Sequence, residues 1–231
     1  MHRLTKALVL IVWNEVEGCR MDVPRLPRAD FEEVFAIDGG STDGTVEYLE
    51  AQGIPVYRQR RRSLNAAYAD AADRARSDAV VIVFPKGTID PAFASECCRH
   101  LEDGYDLVIA GRNLPGAHNE EDEKLFKIRK WGVMALSLVA ALLWRREGWR
   151  VRDVLHGVKG FTVEAYRRMQ ISETGVTIDL EMVVRAYRLR LRRIEFPVHE
   201  IRRSSGETRF PVWSTGRRLT AFLFSELLRK L

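Results

Sequence analysis

Apolar runs of strand length recur through the first half of the chain, at 7–13 (ALVLIVW), 33–38 (EVFAID), 54–57 (IPVY), 79–84 (AVVIVF) and 105–110 (YDLVIA). Runs this short, without regular polar alternation, are suited to strands covered on both faces. Helical segments separate them. Residues 45–52 stop at Gly53, residues 64–76 follow a capping Ser63, and residues 91–103 start at Asp90-Pro91 and stop before Gly104, each a recognised start or stop signal. Strands alternating with helices predict an α/β fold: a Rossmann-like, mostly parallel sheet with helices on both faces.

The second half is patterned differently. The acidic loop 118–123 (HNEEDE) leads into 125–144, whose residues 131–144 carry no charge. A bilayer span needs about 20 apolar residues, so this stretch is too short to cross. Lys127, Arg129 and Lys130 flank it on one side and Arg145 and Arg146 on the other, with Trp131 and Trp144 at its ends. That arrangement suits a helix lying in a membrane interface over 125–146; a buried core helix is the alternative. Residues 178–190 read as a helix, 192–199 as a strand, and 214–231 as an amphipathic helix with Leu219, Phe222, Leu223, Leu227 and Leu231 on one face. The expected organisation is one domain over 1–210 followed by the terminal helix 211–231.

With 231 residues, 46% hydrophobic and 30% charged, the chain has the material for one packed core, and its composition excludes a disordered or collagen-like protein. The formal charge of +5 is unevenly spread: residues 1–115 hold 14 basic and 18 acidic side chains, residues 116–231 hold 23 and 14. A basic second half suggests an anionic partner. Nucleic acid is not favoured, because no recognised motif accompanies the basicity. Cys19, Cys97 and Cys98 fit neither a disulfide framework nor metal-ligand spacing, which suggests a reducing compartment. The seven-residue apolar run at 7–13 ends in Asn14-Glu15 and reads as a first strand, not a signal peptide.

The most specific local signal is AIDGGSTDGT (36–45), an acidic residue at a strand end followed by a glycine-rich turn and a helix start. Ligands bind at such strand ends in parallel sheets. Asp38 can accept hydrogen bonds from a base or ribose there, and the glycines let the backbone approach. Alternatively Ser41, Thr42 and Asp43 only cap the turn.

Several segments, taken in order, resemble family 2 glycosyltransferases and, within them, the dolichyl- or polyprenyl-phosphate sugar synthases. They are VWNEVEG (12–18), IDGGSTDGT, the segment NAAYADAADRARSDAVVIVF, VIAGR (108–112), DVLHGVKGF (153–161) and RRSSGETRF (202–210). The resemblance implies a glycosyltransferase A-type fold and transfer of a sugar, with inversion, from a nucleotide sugar to a polyprenyl phosphate at a membrane surface. By position it assigns Trp13, Glu15, Asp38, Gly40 and Arg61 to the donor. It assigns Arg112, Arg129, Arg203, Thr208 and Arg209 to the acceptor phosphate, with Asp179 near the sugar. A cytoplasmic protein peripheral to the inner membrane face is expected, with a partner membrane subunit as a further option.

One family feature is missing. Where an Asp-x-Asp metal motif is expected, Pro85, Lys86 and Gly87 stand. A Mg²⁺ or Mn²⁺ cofactor is therefore not expected, and Lys86 is the candidate replacement charge. The same loss supports an alternative in which a non-catalytic relative keeps the fold to bind nucleotide, lipid phosphate or a partner.

Overall fold

A computed structural model describes residues 3–123, 126–201 and 212–229, with the side chains of 212–214 left out. Among the described residues seven strands form one sheet in the order β3-β2-β1-β4-β6-β5-β7. The strands are β1 (Lys6–Val12), β2 (Glu33–Asp38), β3 (Val56–Arg58), β4 (Ala79–Val83), β5 (Leu107–Gly111), β6 (Lys159–Thr162) and β7 (Arg193–Pro197). β6 runs antiparallel to β4 and β5, and every other pairing is parallel. The sheet is mostly parallel, as the pattern predicts.

Among the described residues eight α-helices accompany it: α1 (Val16–Asp22), α2 (Thr45–Ala51), α3 (Leu64–Arg74), α4 (Phe93–Glu102), α5 (Ile128–Trp144), α6 (Val163–Met169), α7 (Ile178–Arg188) and α8 (Val212–Leu228). Successive residues of a strand point to opposite faces, so β1 feeds two cores. Ala7, Val9 and Ile11 join the core under α3, α5, α6, α7 and α8. Leu8, Leu10 and Val12 join the core under α1, α2 and α4. This two-sided burial is why the strand sequence lacks polar alternation. Ser63 caps α3 by accepting the Ala66 N–H at 3.1 Å, as its position predicts. The three cysteines are buried free thiols.

The sequence pattern misses α1, α6 and β6. α1 and α6 span only two turns each, and β6 is interrupted by Lys159 and Gly160. Neither presents a periodic stripe. The terminal helix α8 places Leu219 and Leu223 in the shared core, while Leu227, expected on the same face, is exposed. No helix among the described residues is long and apolar enough to cross a membrane.

Candidate active site

The strand order fixes where a ligand goes. From β1 the chain winds outward through β2 and β3, then returns to place β4 on β1's other side. The crevice at the carboxyl ends of β1 and β4 is the topological switch point. Residues 13–15 leave β1 there, residues 38–45 leave β2, and residues 84–87 leave β4.

The β1 and β2 loops are locked together. Asn14 adopts a left-handed backbone (φ 50°), which asparagine tolerates better than most residues. Its N–H donates to Ser41 Oγ at 2.8 Å, and its Oδ1 accepts the Thr42 N–H at 2.8 Å. The Asp38 carboxylate accepts the Gly40 N–H at 2.8 Å, the Ser41 N–H at 3.0 Å and the Ser41 hydroxyl at 2.6 Å. Asp43 accepts the N–H groups of Thr45 and Val16, each at 3.1 Å, and so caps α2 and α1 together. Asp38 therefore stands at the expected strand end with both oxygens already shaping its own loop. The capping alternative describes Asp43, whereas the Ser41 hydroxyl serves the loop residues Asn14 and Asp38.

Trp13 lies against Gly39, where an added Cβ would stand 3.1 Å from the Trp13 Cβ. The Arg62 guanidinium sits over the Trp13 ring at 4.2 Å, within cation–π range. Arg61, the expected donor residue, instead pairs with Glu173 at 3.3 Å, and Arg60 pairs with Asp70 and Asp73. Three consecutive arginines carry no local signal of which one reaches Trp13; Arg62 does so while staying exposed. Arg58, at the end of β3, reaches Gly40, with Nη2 3.6 Å from an added Cβ.

The β4 loop is held from beneath. An added Cβ on Gly18 would lie 2.1 Å from the Pro85 carbonyl oxygen, so only glycine lets α1 approach this closely. Gly87 has φ +67°, and its N–H donates to the Asp22 carboxylate at 2.8 Å. Burial pushes the Asp22 carboxyl above its ordinary value, while the Gly87 and Lys86 N–H groups pull it back. The Lys86 Nζ lies 5.2 Å from the centre of the Phe84 ring.

These residues do not fit a divalent metal. Pro85 and Gly87 offer no side-chain oxygen, and Lys86 brings positive charge where such a cation would sit. Asp90, the nearest carboxylate downstream, caps the Ala92 N–H at 3.0 Å and pairs with Arg25 at 2.8 Å. Asp22, Asp38 and Asp43 face backbone N–H groups. Among the described residues no three His, Cys, Asp or Glu side chains come together to hold a metal.

Two ionic clusters occupy the neighbouring strand ends. Arg112, after β5, donates to Asp153 through Nε at 2.8 Å and Nη2 at 3.1 Å, and to Glu200 through Nη1 at 3.1 Å. Burial alone would lower the arginine's pKa, but the two carboxylates raise it. Asp153, fully buried, is pushed up by burial, and Arg112 more than reverses this, bringing it to about 2. His156, in the same segment, is held neutral, at about 3, by burial and by Arg112. Arg112, expected at the acceptor phosphate, is held here by two carboxylates of this chain.

Asp179, at the start of α7, pairs with the buried Lys159 at 2.8 Å. Tyr68, beside this pair, hydrogen-bonds the Gly157 carbonyl, and its ring lies 6.4 Å from that of Phe84. A packed path thus runs from Lys86 through Phe84 and Tyr68 to Asp179. Lys159, unnoticed in the sequence, neutralises the carboxylate assigned to the sugar.

At α5, Lys127 and Lys130 both turn to Asp122, while Arg129 makes no ion pair among the described residues. Val133, Ser137, Ala140, Ala141 and Trp144 are buried. The opposite face is apolar and open: Phe126 is 69% exposed, Trp131 55% and Leu142 71%, with Ile128, Met134, Leu138 and Val139 beside them. Trp144, expected as an interfacial anchor, packs inward, and Trp149 is the exposed aromatic at that end. One face of the helix is thus buried in the core, as the alternative reading expects, and the other is apolar and exposed. Arg203, Thr208 and Arg209 lie outside the described residues.

Comparison with known proteins agrees with this geometry. The model of a family described as glycosyl transferase family 2 matches residues 23–173. Glycosyltransferase AglJ of Haloferax volcanii is 30% identical over 176 residues, which cover 74% of this chain and 55% of that protein, so the chain spans little more than half of that relative. An undecaprenyl-phosphate mannosyltransferase of Micrococcus luteus is 24% identical over 214 residues, covering 87% of this chain and 85% of that protein. Among solved structures, glucosyl-3-phosphoglycerate synthase of Mycobacterium tuberculosis in complex with phosphoglyceric acid superimposes with a TM-score of 0.73 at 20% identity. The match covers 96% of this chain and 79% of that one. The same enzyme in complex with Mn²⁺, UDP and phosphoglyceric acid gives a TM-score of 0.75 at 19% identity, over 96% and 78%. These structures share the glycosyltransferase A-type fold.

Proposed function

This chain belongs to glycosyl transferase family 2, and from that premise we propose that it moves a hexosyl group, with inversion, from a nucleotide sugar to a polyprenyl phosphate at a membrane surface. The carrying observation is the pairing of a nucleotide-type switch-point crevice with a long apolar face on α5. The mannosyltransferase relative, named for undecaprenyl phosphate, supports the same acceptor class.

The donor lies along the ends of β1, β2 and β4, with its base or ribose toward Trp13 and Asp38 and its diphosphate toward the β4 loop. The acceptor approaches from the side of α5. An oxygen of the lipid phosphate attacks the anomeric carbon from the face opposite the nucleotide. The bond from that carbon to the diphosphate oxygen breaks, and the nucleoside diphosphate leaves with the electron pair. A phosphate monoester is already anionic at neutral pH, so no strong base is needed. The protein supplies alignment and positive charge, and Arg129 at the α5 start is the described cation available to the acceptor. The Lys159–Asp179 pair acts on the sugar's surroundings rather than as a proton acceptor, because the buried ammonium neutralises the carboxylate.

The apolar α5 face is assigned to the bilayer interface. Its flanking Arg145 and Arg146 are exposed and complement anionic headgroups. A peripheral location follows from this assignment, and the free buried thiols favour the cytoplasmic side. The test combines purified protein, a panel of nucleotide sugars and liposomes carrying polyprenyl phosphate, with the lipid-linked sugar identified by mass spectrometry and its anomeric configuration by NMR. Transfer with inversion is expected. The replacement of Asp-x-Asp by Pro85-Lys86-Gly87 favours a second reading, a non-catalytic relative. Nucleotide binding without transfer across the whole panel would select it.

A further inference from the structure

The charge distribution at the switch point points to an unusual way of holding the donor. The end of β3 and the loop after it carry Arg58, Arg60, Arg61 and Arg62. Arg60 and Arg61 are neutralised by Asp70, Asp73 and Glu173. Arg58 and Arg62 make no ion pair with any described carboxylate, and these two lie at the switch-point loops, against Gly40 and over Trp13. On the other side of the crevice Lys86 occupies the middle of the tripeptide that ends β4. Its backbone is fixed by the Gly18 contact and by Asp22, and its ammonium is drawn toward the Phe84 ring.

Four carboxylates in the same region are already engaged. Asp22, Asp38 and Asp43 accept backbone N–H groups, and Asp90 is joined to Arg25. The crevice therefore presents cations to a ligand and uses its nearby anions to build its own loops. A site arranged this way suits a ligand of two or three negative charges and repels a divalent cation.

We propose that the donor's diphosphate is held by side-chain cations, Lys86 with Arg58 and Arg62, in the role that a divalent metal fills elsewhere in the family. Lys86 meets the diphosphate as a point charge at the β4 end, and the two guanidinium groups offer forked donors from the β3 side. When the sugar–oxygen bond breaks, the charge gathering on the diphosphate is met by groups already in position, so no metal need enter or leave with the nucleotide. This rests on the donor-site reading above.

The test is calorimetric titration of the whole protein with UDP, GDP and dTDP, and with the matching nucleosides, in chelator and then in Mg²⁺ or Mn²⁺. At least one diphosphate should bind with an affinity that changes less than about twofold between chelator and metal. Lys86→Met should weaken that diphosphate about tenfold or more while leaving its nucleoside unchanged, and Lys86→Arg should recover most of the loss. Arg62→Met should act in the same direction. Diphosphate binding that needs Mn²⁺, or that is the same in wild type, Lys86→Met and Arg62→Met, overturns the proposal while leaving the donor site in place. If no nucleoside or diphosphate binds, the donor-site reading itself fails. Circular dichroism and urea midpoints matching wild type establish that each variant is folded, and the Lys86→Arg variant keeps the comparison decisive if Lys86→Met is not.

Discussion

Asp153→Asn is the sharpest test of whether Arg112 belongs to the framework or to the acceptor site. Asp153 is wholly buried and receives Arg112 through Nε, Nη2 and the backbone N–H, at 2.8, 3.1 and 3.0 Å. The asparagine keeps the shape, but it replaces one acceptor oxygen with a donor that faces the guanidinium and removes the charge that offsets its burial. Two estimates bound the cost. The fall of the Asp153 pKa from 3.8 to about 2 corresponds to roughly 2 kcal/mol at about 1.4 kcal/mol per pH unit. Disrupting a buried ion pair from one side costs about 3–5 kcal/mol, and Glu200, which stays beside Arg112, moderates it. A loss of about 3 kcal/mol is expected. For a chain of this size that lowers Tm by about 6–12 °C. Urea denaturation at pH 7 measures it, with an unchanged m-value as the sign that the folded state is intact. The sign with pH is fixed as well. A depressed carboxylate stabilises above its unfolded pKa, so wild type should lose this contribution as pH falls from about 3.8 through about 2, and the variant should lack that step. A cost below about 1 kcal/mol, or a double variant with Arg112→Met whose cost is the sum of the singles, would refute the coupling and return Arg112 to the acceptor phosphate.

Three further outcomes follow from the same geometry. Asp38→Ala should weaken nucleotide binding about tenfold and lower stability by about 1–2 kcal/mol, because it leaves the Gly40 and Ser41 donors without their acceptor; calorimetry and urea midpoints measure the two effects, and unchanged binding in a folded variant removes the assignment. Gly18→Ala should cost about 1–3 kcal/mol and weaken diphosphate binding more than nucleoside binding, since the new Cβ meets a backbone oxygen and displaces the Lys86 loop. Burial raises the Glu195 pKa to about 7; a raised carboxyl favours the folded state at low pH, so wild type should lose up to about 3 kcal/mol as pH rises from about 4.5 through 7, and Glu195→Gln should flatten that slope in a pH series of urea midpoints.

How much of this was legible in the sequence depends on the range of each interaction. The parallel framework was readable because β1, β4 and β5 are buried on both faces and their residues say so locally. The strand end then pointed to Asp38 and its glycine turn, and the family resemblance added Trp13 and Lys86. Side-chain partners were not readable, because they are set by tertiary packing. Arg112 lies 41 residues from Asp153 and 88 from Glu200, and its segment looks the same whether its guanidinium faces a phosphate or two carboxylates. The contact of Arg62, rather than Arg61, with Trp13 joins loops that only the sheet brings together. β6 was missed because its buried Lys159 is affordable only beside Asp179, which comes 20 residues later in the sequence.

The partners of the basic residues change what the charge of the second half means. Its surplus of arginine suggested an anionic partner for that half as a whole, yet much of that charge is used inside the protein. Arg185 and Arg188 are tied to Glu181 and Glu226 between α7 and α8, and Arg193 is buried against Tyr187 with its guanidinium on the carbonyls of Leu191 and Glu147. Lys127 and Lys130 share Asp122. The number of basic residues therefore overstates the positive charge free to face a membrane, while the exposed apolar residues of α5 keep their full effect at any ionic strength. Salt screens exposed charges within about 8 Å at physiological strength and leaves apolar burial intact. Binding to anionic liposomes should accordingly weaken only a few-fold between low and physiological salt. It should fall much further in the paired variant Trp131→Ser and Leu142→Ser, measured by co-sedimentation. The reverse order, strong salt dependence with indifference to these two side chains, would assign membrane contact to the basic residues and remove α5 from the interface.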